Sequence, residues 1–550
     1  MITDSFYVFL IIFWTIHIIR RNFFWIYFWQ KRGNHFHRFF NGLKENKRIL
    51  ISKSAIFASL LIFAYFFISK LENFFEAIVL SFYLLLGAYC LYLFFNSLFL
   101  KDFKSYFFVL PRFTKRTIVF SLFLVFWEVL FVFLLIFQKE KIVNEESIFL
   151  YFLIFEIVFP FFFIFVLGIL KGLYLPIELW AQKKAKQKIS EMGKLIVIGI
   201  SGSYGKTIVK DSLYHMLSEK YKVLKTKGGE TSKEGLVKLI NKELTKKHDF
   251  LICEMSAFRV GEVRKTCQII KPQIGILTGI SEDRVSLFGN FKQLINTKYE
   301  LINCLPEDGI AIFNLEDKEC QKLYQRPNIK KYSYSTSEEK GDVFAKNILA
   351  SERFVDFELV SWQGEEKMRL GFSNLYYLEN FIGAATCALV LSLKNSQIKK
   401  ITNKIKISGN FIVKRRGKNK TQIIDDTSNT KPAGFFDALK TLEKYQGKKI
   451  IIASCLSELG KGAFAFHNNI GKKIGEICDL AIITNPLFFK EIKLGAVSAG
   501  MKSQNILFLR HPKKILKALN AYFQKENTIL LEGEISEKIK EYLVANDKVL

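Results

Sequence analysis

The stretch from Lys194 to Leu217 limits the possible fold more than any other part of the chain. It reads K-L-I-V-I-G-I-S-G-S-Y-G-K-T-I-V-K-D-S-L-Y-H-M-L, with an apolar run, a glycine-spaced turn and then an amphipathic pattern. An apolar run bounded by glycines is typical of a buried strand, and apolar residues three and four positions apart are typical of a helix. The stretch therefore predicts a strand, a tight loop and a helix in that order.

The loop in this stretch carries the residue types that bind phosphate groups. Its glycines let backbone N–H groups converge on phosphate oxygens, which the N-terminus of a helix also attracts. A lysine at the start of the helix can reach the terminal phosphates, and the hydroxyl that follows can ligate magnesium. We therefore predict a site for ATP and Mg²⁺ in which the nucleotide contacts Gly202, Ser203, Tyr204, Gly205, Lys206 and Thr207.

The first third of the chain differs in composition from the rest, with long apolar runs up to about residue 175. Five runs nearly free of charge approach the ~20 residues that cross a bilayer. They lie near residues 5–19, 50–69, 76–100, 117–137 and 148–170. A cleaved signal peptide is the alternative for the first run, which lacks a basic n-region and a small-residue cleavage site. We predict a transmembrane domain of about five helices over residues 1–175.

Basic residues predict the orientation of this domain, because Lys and Arg stay on the cytoplasmic side of a membrane. They gather from Arg20 to Arg48, from Lys101 to Arg116 and after the fifth run, whereas residues 70–76 and 138–147 carry more acids than bases. The pattern predicts a multi-pass protein of the cell inner membrane, with its N-terminus outside and its larger part in the cytoplasm. Residues 176–192 are predicted to be a juxtamembrane linker that either lies on lipid headgroups or forms a helix.

Net charge and cysteine spacing exclude other classes of protein. A formal charge of +29 could indicate a nucleic-acid partner, but no nucleic-acid-binding motif accompanies it, so we predict none. The eight cysteines form no CxxC pair. Their spacing argues against a zinc site and a disulfide framework, and it suits a reducing cytosol.

The loop S-G-S-Y-G-K-T, followed about fifty residues later by H-D-F-L-I-C-E-M-S-A-F-R-V-G-E-V, resembles the Mur ligase family. The resemblance implies an α/β central domain of the P-loop ATPase type, which we place at residues 193–400. Glu254 is then expected to be a magnesium ligand. A carboxylate at the carboxyl end of a strand beside the phosphate loop is suited to that role.

The resemblance implies roles for two more residues of the central domain. Lys298, in I-N-T-K-Y-E-L-I, matches a lysine that is carbamylated in several branches, and a carbamylated Lys298 beside Glu300 would hold a second magnesium. An unmodified surface lysine is the alternative. Asn314 matches an asparagine placed near the adenine. Arg284 is a departure, because many members have a histidine in this loop close to the second metal.

A second α/β domain, Rossmann-like, is predicted over residues 401–550, because strand patterns alternate there with helical ones. The strands are expected at Thr421–Ile424, Lys449–Ala453, Leu480–Thr484 and Thr528–Leu531. The segment I-I-D-D-T-S-N-T-K-P resembles the start of this domain in the D-Ala-D-Ala-adding branch, which implies that Asp426 contacts the ribose and Asn429 the nucleotide. A turn followed by a helix cap is the alternative reading of this segment.

Other positions depart from the family pattern. Tyr376 and Tyr377 stand where His-Asn is common, and a segment beginning at Glu532 is all that represents the terminal K-G-S-R-like motif. His467 follows S-E-L-G as in the branch pattern. These departures lie in the parts that recognise the incoming amino acid or dipeptide, and the nucleotide half matches better.

The resemblance implies an ATP-dependent amide ligase of peptidoglycan precursor synthesis. The enzyme would activate the carboxylate of a nucleotide- or lipid-linked muropeptide as an acyl phosphate and join it to an amino acid or D-Ala-D-Ala. Lys206 and Lys298 are the expected catalytic residues, and the expected metal ligands are Thr207, Glu254 and Lys298. A catalytically degenerate, nucleotide-binding membrane scaffold is the alternative. A P-loop transporter ATPase is a third reading, but the chain lacks an ABC-type signature.

Overall fold

The molecule is described here from a computed structural model of the 550-residue chain. The described residues are 21–30, 39–40, 43, 115–138, 145–228, 230–282, 285–337, 340–351, 354–371, 375–402, 414–416, 421–427, 432–456, 459, 462–524, 526–533, 535–536, 539–540 and 543. They divide into two compact units, Met1–Glu178 and Leu179–Leu550.

The described part of the first unit is helical and rich in aromatic residues. It contains a helical stretch at residues 21–30, helix α1 (Lys115–Gln138) and the greater part of helix α2 (Glu145–Ser190). Trp25 and Phe39 pack with Phe120 and Phe163 in one apolar cluster, which buries residues from all of these segments. Large aromatic side chains in contact supply much of the packing energy of such a cluster.

A buried ion pair lies within this first unit. Asn22 donates from Nδ2 to both carboxyl oxygens of Glu128, at 3.0 and 2.9 Å, and Arg21 pairs with the same carboxylate at 3.3 Å. Charged side chains in apolar helices are paired in this way, because a lone charge there is costly. Residues 21–30, which belong to the basic segment predicted between the first and second apolar runs, are helical.

One helix within the described residues could cross a membrane by its length and composition, and it is the Ile157–Ser190 part of α2. Thr117–Leu130 of α1 is also apolar but shorter. The predicted runs 117–137 and 148–170 thus fall on helices. The other three, 5–19, 50–69 and 76–100, lie outside the described residues, so the five-helix arrangement stays a prediction.

The predicted linker at residues 176–192 is the last part of α2, which continues unbroken to Ser190. This end of the helix packs into the core of the second unit through Ala185 and Ile189. Lys188 donates from Nζ to the backbone carbonyls of Ile240 and Asn241, at 3.0 and 3.2 Å. The segment is therefore helical, and its last turns are part of the folded domain.

The second unit begins with a nine-stranded sheet in the order β2-β3-β1-β4-β5-β6-β7-β8-β9. Its strands are β1 (Ile196–Ser201), β2 (Val223–Lys225), β3 (Phe250–Glu254), β4 (Ile274–Leu277), β5 (Ile310–Asn314), β6 (Lys330–Ser335), β7 (Val343–Ala350), β8 (Val355–Ser361) and β9 (Gly364–Leu370). The first seven in this order run parallel, and β8 and β9 add an antiparallel edge. Apolar runs on both faces of β1 explain why it lies inside the sheet.

Helices cover both faces of this sheet. They are α3 (Lys206–Ser218), α4 (Lys233–Glu243), α5 (Glu262–Ile270), α6 (Val285–Phe288), α7 (Phe291–Asn303), α8 (Lys318–Tyr324), α9 (Leu375–Val390) and α10 (Asn395–Thr402). α3, α9 and α10 pack on one face, and α4, α5, α7 and α8 pack on the other. The carboxyl ends of β1, β3, β4 and β5 therefore meet at one edge, where ligands bind in folds of this kind.

A second, six-stranded sheet follows in the order β10-β11-β15-β12-β13-β14. Its strands are β10 (Lys414–Arg416), β11 (Thr421–Asp426), β12 (Lys449–Ala453), β13 (Leu480–Ile483), β14 (Ile506–Phe508) and β15 (Thr528–Glu532). Helices α11 (Pro432–Glu443), α12 (Ala463–Ile477) and α13 (Phe489–Ser498) cover one face, and α14 (Pro512–Leu519) packs on the other. The four predicted strands and the doubly wound parallel arrangement are confirmed, whereas β10 and β14 were not predicted.

Candidate nucleotide-binding site

The loop between β1 and α3 takes a path that requires glycine at two positions. Gly202 has φ 148° and Gly205 has φ 78°, a region that side chains rarely adopt. A Cβ at Gly202 would collide with Oγ1 of Thr278, and one at Gly205 would collide with Oδ1 of Asn380. The glycine spacing seen in the sequence thus reflects both backbone conformation and close packing from neighbouring elements.

Lys206 is the first residue of α3 and turns back onto the loop. Its Nζ donates to the backbone carbonyls of Gly202 at 2.8 Å and Ser203 at 3.3 Å. The N–H of Ser203 donates to the carbonyl of Gly279 at 2.7 Å, which fixes the loop against the end of β4. The loop residues predicted to grip the nucleotide therefore converge at the start of α3, where the helix dipole attracts anions.

Thr207 and Glu254 meet at this edge of the sheet. The Thr207 hydroxyl lies 3.0 Å from both carboxyl oxygens of Glu254. Glu254 is the last residue of β3 and pairs in parallel register with Ile200 of β1, so the strand brings the acid beside the loop. Its backbone N–H donates to Oγ1 of the buried Thr226 at 3.0 Å. The two predicted metal ligands are thus brought together.

Lys210 is a residue of this site that the sequence reading missed. Its Nζ lies 3.1 Å from Oε2 of Glu254 and 3.7 Å from Asp211, and the side chain is buried. Lys210 follows Thr207 by three positions, so both lie on the same face of α3. That spacing was a usable signal, but lysine on an amphipathic helix is ordinarily a surface residue.

Oxygen atoms suited to Mg²⁺ are present at the end of the loop. A hydroxyl and a carboxylate are ligands that Mg²⁺ prefers, and it ordinarily takes one or two carboxylates with phosphate oxygens and water. Among the described residues no group of three or more His, Cys, Asp or Glu side chains could hold a metal by itself. Thr207 and Glu254 therefore fit a magnesium that is shared with bound phosphates.

Tyr204, in the middle of the loop, is tied to the next layer of the domain. Its hydroxyl donates to Oδ2 of Asp317 at 2.9 Å, and the same carboxylate accepts from the N–H groups of Ile280 and Cys320 at 3.1 and 2.8 Å. Burial, followed by the charge of Asp317, raises the pKa of the Tyr204 phenol well above its usual value. Tyr204 is therefore a neutral donor that anchors the loop.

Asn314 ends β5 and is completely buried. Its Nδ2 donates to the carbonyl of Thr278 at 2.7 Å and to Glu379, and its Oδ1 accepts from the N–H of Glu316 at 2.9 Å. The side chain thus joins the ends of β4, β5 and α9 behind the loop. Its expected position near the adenine stays a prediction.

Lys298 lies on α7, which packs against the end of β1. The Ser201 hydroxyl donates to the backbone carbonyl of Lys298 at 3.0 Å. Lys298 is buried, and its Nζ lies 5.7 Å from the ring centroid of Phe288. Glu300, expected beside this lysine, accepts from the N–H groups of Gly261 and Arg264 at 2.8 and 2.9 Å. Positions two apart on a helix face different sides, and Glu300 caps α5.

In the second domain Asp426 is buried at the carboxyl end of β11. Its neighbour Asp425 accepts from the N–H and hydroxyl of Thr427, at 3.1 and 2.6 Å, which turns the chain at the strand end. Asn429 and Arg284, the other two residues singled out in these loops, lie outside the described residues.

His467 supports the loop that follows β12. Its Nε2 accepts from the N–H of Leu456 at 3.1 Å, and its Nδ1 lies 2.7 Å from the carbonyl of Ala463, the arrangement of a neutral ring protonated on Nδ1. Phe488 stacks on the ring with centroids 4.1 Å apart. Burial lowers the pKa of His467. The histidine of the branch pattern therefore positions backbone in this structure.

Two tyrosines connect the phosphate loop with the acids of the second domain. The Tyr376 ring lies 6.0 Å from that of Tyr204 and 5.8 Å from that of Tyr377, centroid to centroid. Burial raises the pKa of Tyr377, and the charges of Asp426 and Asp425 raise it further. The residues at the His-Asn positions of the family pattern thus pack beside the phosphate loop and feel the charge of the second domain's acids.

Comparison with protein families finds two matches that together cover more than half of the chain. Residues 200–388 match the Mur ligase middle domain. Residues 412–535 match the Mur ligase, glutamate ligase domain. The matched ranges contain the phosphate loop, Glu254, Lys298 and Asp426, and each falls on one of the two sheets.

Several relatives bear the name UDP-N-acetylmuramoyl-tripeptide–D-alanyl-D-alanine ligase. The chain is 28% identical to that of Buchnera aphidicola over 353 residues, which cover 64% of this chain and 75% of the relative. For Bacillus subtilis the identity is 24%, with 66% and 77% covered. The identity to the Escherichia coli relative is 24%, and the match covers 50% of this chain and 61% of that relative, which is less than two thirds of its length.

Solved structures of ligases called MurF share the fold. That of Acinetobacter baumannii superposes with a TM-score of 0.59 at 23% identity, covering 67% of this chain and 79% of the other. That of Thermotoga maritima in complex with ADP gives a TM-score of 0.56 at 25% identity, covering 66% and 82%.

Proposed function

Because this chain belongs to the Mur ligase family, we propose that it is an ATP-dependent ligase that joins D-alanyl-D-alanine to a UDP-N-acetylmuramoyl-tripeptide. The names of its relatives support this choice of substrates. The single observation that carries it is the contact of Thr207 with Glu254 beside Lys206, at the end of a glycine-bent loop. That arrangement supplies a binding site for a triphosphate and the oxygen ligands of a magnesium ion.

The proposed reaction has two steps. A carboxylate oxygen of the tripeptide attacks the γ-phosphorus of ATP, the bond to the β-γ bridging oxygen breaks, and ADP leaves with that electron pair. The amine nitrogen of the dipeptide then attacks the acyl carbon, loses a proton, and displaces phosphate to leave the amide. The first step spreads negative charge over the transferred phosphoryl group, so it gains most from fixed positive charge.

Residues of the chain meet these needs at named atoms. Lys206 Nζ, which now donates to the carbonyls of Gly202 and Ser203, is placed to move onto the terminal phosphates. Thr207 and Glu254 would hold Mg²⁺, which neutralises phosphate charge when bound. Lys210 keeps the Glu254 carboxylate in place and balances its charge.

The carbamylation of Lys298 is part of this proposal. The lysine is mostly buried on α7, whose backbone contacts Ser201 at the end of β1, so its side chain arises close to the phosphate loop. A carbamate would turn a buried cation into an anion able to ligate a second magnesium. Mass spectrometry of peptides prepared under carbon dioxide at mild pH should show the added carboxyl group on Lys298. Peptides without the modification in active protein would contradict it.

Exclusion of water from the acyl phosphate is assigned to the cleft between the two domains. Asp426 is expected on the ribose, and Asn429 is expected on the nucleotide from the loop that follows β11. The charge of Asp426 raises the pKa of Tyr377 in the central domain. Closing this cleft on ATP would remove water from the reacting groups before the amine arrives.

Activity of the full-length protein in detergent tests the proposal. ATP, Mg²⁺, UDP-N-acetylmuramoyl-tripeptide and D-Ala-D-Ala should give ADP, phosphate and a product heavier by the dipeptide less water, identified by mass spectrometry. Lipid-linked muropeptide serves as a second acceptor, because the apolar first third of the chain motivates a membrane-bound substrate. The Lys206→Ala variant is the control. A lack of product with both acceptors would count against the ligase.

The degenerate scaffold is not favoured, since the relatives are ligases and the phosphate loop is intact.

Attachment to the inner membrane is the remaining part of the proposal. From Leu173 to Trp180, six large side chains of α2 are exposed, by fractions between 41% and 64%. Exposed lysines follow at once, and the ammonium of Lys184 lies 5.2 Å from the Trp180 ring. An apolar girdle with Trp, followed by lysines, is typical of the cytoplasmic end of a membrane helix.

Topology reporters test the multi-pass arrangement directly. Alkaline phosphatase fused within the predicted outer segments 70–76 and 138–147 should be active, and fusions at the C-terminus should be inactive. The protein should also stay in the membrane fraction after an alkaline wash. Recovery in the soluble fraction would overturn membrane attachment and leave the ligase proposal untouched.

A further inference from the structure

Two acidic side chains lie side by side within the second domain. In the parallel register of β11 and β15, Asp426 stands directly opposite Glu532. Side chains alternate between the faces of a strand, and Ile424 and Leu530 both face the cluster formed with α11 and α12. Asp426 and Glu532, two positions further on each strand, therefore share that face and are immediate neighbours.

Both carboxyl groups are removed from water. Asp426 is 2% exposed and Glu532 is 0% exposed. Neither oxygen of Glu532 has a hydrogen-bond donor in proper geometry within the described part of the chain. Two ionised carboxylates cannot remain in contact in such a place, because each has lost its hydration and repels the other.

The residues that the structure places beside Glu532 are apolar or acidic. On its other side β12 places Ala453, and the buried residues of α11 in the cluster are Phe435, Ala438, Leu439 and Leu442. Asp425 on β11 adds a further negative charge near Glu532, and the charges of Asp425 and Asp426 also act on Tyr377 of α9. His467 on α12 is engaged with Leu456 and Ala463.

We propose that Asp426 and Glu532 hold one proton between them at neutral pH, with the Glu532 acid donating to the Asp426 carboxylate and so acting as its positioning residue. Glu532 keeps its proton, the pair carries a single negative charge, and the hydrogen bond fixes the orientation of the Asp426 carboxylate. The proposal rests on the nucleotide role proposed for Asp426.

The electrostatic environment agrees with this assignment. Burial raises the pKa of Glu532 well above its usual value, and the adjacent Asp426, by its charge and by a hydrogen bond, raises it further. The nearby N–H of Gly533 acts in the opposite sense and has a smaller effect than burial or Asp426. Protonation of one acid of a contacting pair is the general outcome of such placement.

Glu532→Gln is the matched variant, because an amide has the shape of the protonated acid and can donate to Asp426. Glu532→Leu has similar bulk and no donor. For the full-length protein in detergent, we expect the Gln variant to bind a nonhydrolysable ATP analogue like the wild type, and the Leu variant to bind about tenfold more weakly, the loss of one hydrogen bond to a charged group. Equal binding by the Leu and Gln variants would overturn the positioning role.

Infrared spectroscopy tests the proton itself and requires no turnover. The wild type at neutral pH should show the carbonyl band of a protonated carboxylic acid, which the Gln variant lacks; no difference between them would overturn the proposal. Analogue binding by the wild type should also weaken as pH rises through the pKa of Glu532, and that of the Gln variant should not. Identical pH profiles would equally overturn it. Failure of the ligase function alone would appear as normal binding without product.

Discussion

The ammonium nitrogen of Lys210 lies 3.1 Å from Oε2 of Glu254, and both side chains are buried. The same carboxylate accepts from the Thr207 hydroxyl, so one acid joins two successive turns of α3 to the end of β3. Removing one partner of a buried pair leaves an uncompensated charge. Lys210 therefore compensates the charge of the expected metal ligand Glu254. The loss of stability on removing Lys210 tests this role.

Lys210→Met should lower the free energy of unfolding by about 3 kcal/mol, because Glu254 then keeps a buried charge without its cation. Urea denaturation of the full-length chain in detergent measures the loss. Lys225→Met is the control, since Lys225 forms a 2.8 Å pair with Asp211 but is partly exposed. Loss of that pair should cost below about 1 kcal/mol. Equal losses for the two variants would contradict the assignment.

The phosphate loop was predictable from sequence because its constraints are local. Glycine spacing, the Lys-Thr pair and the flanking apolar run all lie within a short stretch, and the structure places them as strand, loop and helix. Lys210 was missed because its role depends on Glu254, more than forty positions away. The capping role of Glu300 was missed for a related reason, since only the packing of α7 on α5 shows that its carboxylate caps a helix.

Gly205→Ala should be more damaging than Gly261→Ala, although both glycines precede a helix with nearly equal φ of 78° and 81°. A Cβ at Gly261 meets nothing within 4 Å, so only the backbone strain of about 1 to 2 kcal/mol applies there. At Gly205 the Cβ collides with Asn380, which adds at least about 1 kcal/mol and should weaken ATP binding. Thermal unfolding and analogue binding measure both effects.

Asn380 itself provides the check on that prediction. Its Nδ2 donates to the carbonyl of Tyr376, and its Oδ1 is buried without a donor among the described residues. Asn380→Ala should therefore relieve part of the cost of Gly205→Ala in the double variant. If the loss of stability in the double variant equals the sum of the losses in the two single variants, the glycine is needed for its φ alone.

His467 should make stability depend on pH below neutrality. Burial lowers its folded pKa beneath the ordinary value of 6.5, so the unfolded chain takes up a proton first as pH falls. Stability is then full above pH 6.5 and is lost as pH falls from 6.5 towards the folded pKa, by at most about 1.4 kcal/mol per pH unit. His467→Gln keeps an acceptor for the N–H of Leu456 and does not titrate. Parallel stability curves for the two proteins between pH 5 and 7 would contradict this.

In the second domain the strands could be predicted from the sequence, but their order in the sheet could not. Its strands were predictable from apolar runs, and β11, β12, β13 and β15 lie where expected. The strand order was not predictable from the sequence, because β15 comes last in the chain yet lies between β11 and β12. That insertion alone places Glu532 beside Asp426, so a motif departure in the sequence becomes a buried acid pair in the fold.

Thr207→Val and Thr207→Ser separate the shape of the Thr207 side chain from its hydroxyl. Valine matches threonine in size but removes the oxygen that lies 3.0 Å from Glu254, whereas serine retains it. If that hydroxyl ligates Mg²⁺ beside the phosphates, the Val variant should lose about 100-fold or more in kcat, and the Ser variant should stay close to the wild type. ADP release measured across a magnesium titration checks this. A Val variant that turns over normally at every magnesium concentration would remove Thr207 from the metal site and leave Glu254 to be explained by Lys210 alone.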